Sequence, residues 1–269
     1  MRRISALIVS CLLLAASVTR AVAAESTVAY TKAWVRGVSA HVVTVDLNSP
    51  DVKVSPAIAR RGVGTSEGFG SMLSRLRPTA AITGTFFCVR SLIPVGDIVI
   101  DGKLVNAGSV GTAVCFTDDN EVVFNPAGPS SSAASGGHPA VVCSGPRLVH
   151  DGAVYVNPRS EGFHDRALFR KAARTALGIT KNNKLLLVAV KQPVYLSKLA
   201  HIMRDLGAVN AVNLDGGSST AMYYKGRVMS HPGRRMTNLL LIYESPEVYA
   251  KIKPMLAPLP VVATTSSKS

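Results

Sequence analysis

Residues 211–224 read Ala-Val-Asn-Leu-Asp-Gly-Gly-Ser-Ser-Thr-Ala-Met-Tyr-Tyr. An apolar lead from Ala208 to Leu214, broken only by Asn210 and Asn213, has strand character and runs into Asp215. Gly216 and Gly217 then let the backbone turn tightly, because a residue without Cβ enters positive φ freely. Ser218, Ser219 and Thr220 follow before the apolar run resumes. A carboxylate at a strand end, glycines that admit a ligand to the backbone and three hydroxyls form a polar site. The same residues also fit a plain hairpin with an Asp-Gly turn.

The flanks set this stretch in a sheet-rich domain. Leu196 to Leu206 has apolar residues at helical spacing (Leu196, Leu199, Ile202, Met203, Leu206) and is closed by Gly207. Before it, Leu185 to Val190 is apolar enough for a central strand buried on both faces. Arg174 to Thr180 is a strand joined to it through Lys181-Asn182-Asn183. Farther upstream, 94–105 turns at Asp101-Gly102, and 112–124 turns at Asp118-Asp119-Asn120, as two hairpins. Phe69, Met72, Leu73 and Leu76 predict a helix that Thr65 caps and Pro78 ends. Ala80 to Cys88 is a strand whose Gly84 marks a close approach of the backbone to something else. The low-complexity run 128–137 is expected to be a mobile loop, and a loosely attached tail is expected from 246. No linker interrupts 30–245. The expectation is one α+β domain, with hairpin-rich mixed sheets and a few flanking helices.

Met1-Arg2-Arg3, an apolar run to Ala16 and Ala21-Val22-Ala23-Ala24 make residues 1–24 a signal peptide. Export to the periplasm or the extracellular space follows. No later segment is apolar and long enough for an integral membrane span. The chain carries 30 Lys+Arg and 16 Asp+Glu, and removing Arg2, Arg3 and Arg20 leaves 27 − 16 = +11. Such a charge favours anionic partners, above all an acidic or phosphorylated glycan. No nucleic-acid-binding signature is present, and with aromatics at 6% stacking platforms are scarce. Cys88, Cys115 and Cys143 remain after the leader, so one disulfide and one free thiol are expected, with spacing unable to choose the pair. The six histidines show no metal spacing, and the residues call for neither a metal nor a cofactor.

Five motifs in order resemble the phosphodiester glycosidase family: Thr83-Gly84-Thr85-Phe86-Phe87, Arg174-Thr175-Ala176-Leu177-Gly178, Leu185 to Val188, Asn213 to Thr220, and Pro232-Gly233-Arg234-Arg235 with Asn238. The resemblance implies hydrolysis of a sugar-1-phosphodiester at the anomeric C–O bond, within one cleft of an α+β domain. It implies a substrate site of Thr83, Gly84, Thr85, Arg174, Thr175, Asn213, Gly216, Gly217, Ser218, Ser219, Arg235 and Asn238. The family commonly has Asn-Gly-Gly-Phe-Phe at the first motif. Thr83 replaces a side-chain amide by a hydroxyl, which implies a different hold on the sugar.

Carboxylates usually supply the nucleophile or base of glycoside cleavage. Asp215 is the first candidate, and Glu161, in a polar glycine-flanked loop, is its expected partner ahead of Asp97 and Asp165. Arginine forks suit phosphate, which points to Arg174 and Arg235. The glycine-turn amides would form an anion-binding nest. Two rivals stand beside this reading. One is a non-catalytic protein that binds polyanions on the same fold. The other is a hydrolase using Ser218 or Ser219, for which no Gly-x-Ser-x-Gly elbow exists.

Overall fold

The computed structural model describes residues 26–126 and 137–257. The leader, most of the 128–137 loop and the last twelve residues of the expected tail lie outside these. In chain order the elements are β1 (Val28–Val35), β2 (Val38–Asp46), β3 (Lys53–Ile58), α1 (Phe69–Leu76), β4 (Ala80–Thr83), β5 (Ile98–Ile100) and β6 (Lys103–Asn106). Next come β7 (Thr112–Phe116), β8 (Val122–Pro126), β9 (Ala140–Ser144), β10 (Arg147–His150), β11 (Ala153–Val154), β12 (Ala172–Thr180) and β13 (Lys184–Val194). The chain ends with α2 (Leu196–Asp205), β14 (Ala208–Leu214), β15 (Met222–Tyr224), β16 (Arg227–Ser230), β17 (Asn238–Tyr243) and α3 (Pro246–Leu256).

The strands form three sheets. The largest has the order β1-β2-β13-β12-β14-β10-β11, and the two smaller ones run β16-β15-β4-β17-β3 and β6-β5-β9-β7-β8. The α+β domain expected from the sequence is therefore the fold. Side chains in a strand alternate between faces, and β13 uses both. Leu185, Leu187 and Ala189 enter a core shared with Ile82, Leu240, Ile242, Val114 and Val142 of the smaller sheets. Leu186, Val188 and Val190 face the other way, beneath Leu199, Ile202 and Met203 of α2. Each of the Leu, Ile, Val and Met side chains among these stabilises the fold by about 1.5–3 kcal/mol. On the far side, Met72 and Leu76 of α1 and Ile252 and Leu256 of α3 cover Ala81, Leu239 and Leu241.

Four local expectations change. Thr65 does not cap α1: Gly68 precedes the helix without a side-chain cap, and the Thr65 hydroxyl bonds the Gly62 carbonyl at 2.6 Å. Residues 246–256 are not a loose tail but a helix, capped by Ser245 and buried through Ile252 and Leu256. Its signal was in the sequence, as Pro246 at the first turn and Tyr249, Ile252 and Leu256 at helical spacing. The three described cysteines are all free. Cys115 and Cys143 sit inside the third sheet, and burial pushes their thiols up to about 11 and about 12. Finally, Asp215 does not turn a hairpin. β14 belongs to the seven-stranded sheet and β15 to the sheet of β4 and β17, so the glycine turn carries the chain between layers. Among the described residues no helix is long and apolar enough to cross a membrane.

Candidate active site

Three strand ends meet at that crossing. The Asp215 amide donates to the Gly84 carbonyl just after β4, at 3.0 Å. The buried Thr175 hydroxyl, from β12, donates to the Asp215 carbonyl. Asn238, the first residue of β17, clamps the segment after Gly84: its Oδ1 accepts from the Thr85 amide at 2.7 Å and its Nδ2 donates to the Thr85 carbonyl at 3.1 Å. A Cβ on Gly84 would stand 2.0 Å from Asn238 Oδ1, so only glycine fits. Gly216 is equally confined, since a Cβ there would lie 2.7 Å from the Ala173 carbonyl oxygen. Gly217 needs its freedom for another reason, a φ of 58°.

These contacts hold Asp215, Gly216 and Gly217 against a cavity of about 440 Å³. Arg174, Arg234, His164 and Asp165 also line it, with an apolar wall that includes Phe86, Phe87 and Phe163. Burial, the largest influence, pushes the Asp215 carboxyl up to about 6. The Ser219 hydroxyl, the Gly216 amide (2.8 Å from Oδ1) and the Arg234 charge pull it partway back. The Ser219 hydroxyl lies close to the carboxylate without a hydrogen bond of good geometry. Asn213 Oδ1 and Thr220 Oγ1 are likewise buried without a protein partner. Such groups cost about 1–3 kcal/mol each, a concentration of local cost around Asp215.

Arg174 is buried to 3% exposure and donates to the carbonyls of Leu168 (2.9 Å) and Arg170 (2.6 Å). Burial lowers its pKa, yet an arginine stays charged in proteins. Among the described residues neither Arg174 nor Arg234 forms an ion pair with a carboxylate. Arg234 instead lies over the Phe87 ring, 4.4 Å from its centroid. Two cations and a reluctant carboxyl therefore line one cavity.

The expected site residues divide on this geometry. Asp215, Gly216, Gly217 and Arg174 reach the cavity. Gly84, Thr85, Thr175, Asn213 and Asn238 stand behind it as braces: Thr85 bonds the Cys143 carbonyl at 2.6 Å, and Asn213 the Gly145 carbonyl at 3.0 Å. Thr83 is buried within β4 and does not line the cavity, so its hydroxyl is not in the place expected for a sugar contact. Ser218 is exposed outside the lining, and Ser219 is buried beneath it.

Glu161 lies apart from this lining. Its carboxylate accepts from the Arg147 amide at 2.8 Å and from the Thr112 hydroxyl at 2.9 Å, tying its loop to β10 and β7. Asp97, which accepts from the Gly108 amide at 2.7 Å, is also outside the lining. Asp165 is the second carboxylate of the lining, although one oxygen caps the turn at Ala167. Arg235 lies apart as well: it is exposed, bonds the Ser66 carbonyl at 3.0 Å and faces a separate basic hollow with Arg60 and Arg61. Its neighbour Arg234 lines the Asp215 cavity. The signal for that pair was present, but adjacent residues in a turn point apart, and sequence alone does not say which turns inward.

Comparison with known proteins agrees with this construction. The mouse enzyme N-acetylglucosamine-1-phosphodiester alpha-N-acetylglucosaminidase is 27% identical over 177 residues, which are 56% of this chain and 33% of that protein. The chain thus spans about a third of that relative's length. The catalytic domain of the zebrafish enzyme of the same name superposes with a TM-score of 0.66 at 22% identity, over 81% of this chain and 83% of that one. A hypothetical protein from Synechocystis does so with a TM-score of 0.68 at 18% identity, over 79% and 61%. The family model described as phosphodiester glycosidase matches residues 77–243, which hold β4, β12, β14, β17 and every lining residue of the cavity. On that match the chain belongs to the phosphodiester glycosidase family.

Proposed function

We propose that the protein is an exported glycosidase that hydrolyses a sugar-1-phosphodiester, or a phosphate-linked envelope glycan, at the anomeric C–O bond. The observation that supports this reading is that Asp215 lines one cavity with Arg174 and Arg234, neither of which forms an ion pair among the described residues. Buried Arg174 has no acidic partner among the described residues, which is costly, and a phosphodiester would bring the missing charge to it and to half-buried Arg234. Export rests on the sequence of residues 1–24.

In this reading the ionised Asp215 takes a proton from a water that attacks the anomeric carbon. The carbon–oxygen bond to phosphate breaks, and its electron pair leaves on the ester oxygen. The phosphomonoester leaves as an anion held by the arginines, so the departing oxygen needs no strong acid. Asp165 is the second carboxylate within reach of the developing positive charge. Gly216 and Gly217 bring the sugar close to the backbone.

The test is incubation with an α-N-acetylglucosamine-1-phosphodiester and analysis of both products. Free sugar with an intact phosphomonoester is expected, and Asp215→Asn should abolish it. Binding that is unchanged in Asp215→Asn, with no turnover by either form, would favour the non-catalytic reading. Turnover that survives Asp215→Asn but stops in Ser218→Ala or Ser219→Ala would favour the serine hydrolase.

A further inference from the structure

The cavity is unevenly furnished. Its charged and titratable groups lie at the end of β14, near the start of β12, in the turn before β17 and, as His164 and Asp165, just after Phe163. Much of the remaining wall is apolar: Phe86, Val89, Val95, Val110, Phe163 and Leu168. Contacts join this wall together. The rings of Phe86 and Phe163 meet edge to face at 5.7 Å, and the Val95 amide bonds the Phe86 carbonyl at 2.9 Å. Val110 packs where a Cβ on Gly162 would lie 3.6 Å from it, one residue before Phe163.

The wall continues outward into solvent. Val89 is 67% exposed and Ile93 is 45% exposed, on a turn closed by bonds from the Cys88 amide to the Ile93 carbonyl and from the Leu92 amide to the Cys88 carbonyl. Leu92 holds that turn at φ 59°. A non-glycine residue there is strained, and such strain gathers at ligand clamps. Arg90 on the same turn is exposed.

This wall is poorly made for a sugar. One face of Phe87 is covered by Arg234, Phe86 and Phe163 are turned against each other, and the rest is aliphatic. Sugar hydroxyls placed there would lose their water partners and find none among these six side chains, which is unfavourable. An aliphatic chain would instead gain from burial.

We propose that the wall of Phe86, Val89, Val95, Val110, Phe163 and Leu168 receives an aliphatic chain on the alcohol side of the phosphodiester. The substrate is then a sugar joined through phosphate to an apolar alcohol, with the phosphate on Arg174 and Arg234 and the chain leaving past Val89. This rests on the glycosidase reading and goes beyond it by naming the class of the leaving group.

The experiment compares α-N-acetylglucosamine-1-phosphate esters of methanol, hexanol and decanol with the mannosyl ester, all below micelle-forming concentrations, by release of free sugar. Each methylene buried in the wall multiplies kcat/KM by about four, so the decyl ester should exceed the methyl ester by at least about tenfold. Val89→Asp, at an exposed position that tolerates a charge, should collapse the decyl-to-methyl ratio. A ratio near one in the unaltered protein, or preference for the mannosyl ester, would overturn the proposal while leaving the glycosidase reading intact. If no ester is hydrolysed, the glycosidase reading fails. Calorimetry with decyl phosphate against methyl phosphate then judges the wall alone: at least about tenfold tighter binding of the decyl compound, lost in Val89→Asp, supports it, and equal affinities overturn it.

Discussion

The Asp215 amide and the Gly84 carbonyl, 3.0 Å apart, join the end of a strand in the seven-stranded sheet to the end of a strand in a five-stranded one. The carboxylate thus sits on a seam between layers. Its position depends on how closely the two backbones approach.

Gly84→Ala tests that seam. The added methyl would fall 2.0 Å from Asn238 Oδ1, and Asn238 is pinned at both ends of its amide. Overpacking of this kind costs about 1–3 kcal/mol. Thermal unfolding should show that loss, and sugar release by the folded fraction should fall at least about tenfold as the seam opens. An unchanged Tm would contradict the fit described for Gly84.

Asp215 is held at a cost in stability, and the sign can be worked out. Its folded pKa of about 6 lies above the usual value of 3.8, so the folded state keeps its proton where the unfolded state has lost it. Stability therefore falls as pH rises through that window, and the penalty is complete above about pH 6. Its ceiling is about 3 kcal/mol. Asp215→Asn should raise Tm at about pH 8 and leave it nearly unchanged at about pH 4. Activity of the unaltered protein should rise across about pH 6 as the carboxylate forms. A variant less stable than the parent at high pH would count against a desolvated Asp215.

Arg234 and Arg235 separate by direction rather than by charge. Arg234 lines the Asp215 cavity, whereas Arg235 faces the hollow beside Arg60 and Arg61. A hydrogen bond to a charged group is worth about 1.5–3 kcal/mol. Arg234→Ala should lower kcat/KM by roughly 10- to 100-fold, and Arg235→Ala should stay within a few-fold of the parent. Steady-state kinetics of the two variants would show the reverse order if Arg235 held the substrate.

Much of this architecture was legible in the chain. The double-sided burial of β13 was readable because a run of apolar residues at 185–190 has no polar face to expose. The lining of the cavity was legible at Asp215, Gly216, Gly217 and Arg174, a strand-end carboxylate, two glycines and an arginine. It was not legible at Glu161, because a carboxylate in a polar loop looks the same whether it meets substrate or its own backbone. The hairpin reading of Asp215 failed for a related reason. Strand, glycine turn and strand describe a local path, and nothing local says that the second strand will find its partner in another sheet. Thr83 and Asn238 carry the same lesson: the family motif marked a crowded place, and crowding was met with braces behind the cavity.

Glu161 should behave as such a brace. Glu161→Ala would leave the half-buried Arg147 amide and the buried Thr112 hydroxyl without their acceptor, at up to about 1–3 kcal/mol for each unsatisfied group. Denaturant unfolding should register that loss, while kcat/KM of the folded protein at low temperature stays within about tenfold of the parent. A variant of full stability but without turnover would restore Glu161 to the chemistry.

The central claim is that water attacks the sugar carbon under the control of Asp215. Hydrolysis of an α-N-acetylglucosamine-1-phosphodiester in water enriched in oxygen-18 tests it most directly, with mass spectrometry of both products. The label should appear on the anomeric carbon of the free sugar and not in the phosphomonoester, and Asp215→Asn should yield neither product. Label in the phosphate would mean cleavage of the phosphorus–oxygen bond and would contradict the assignment of a glycosidase.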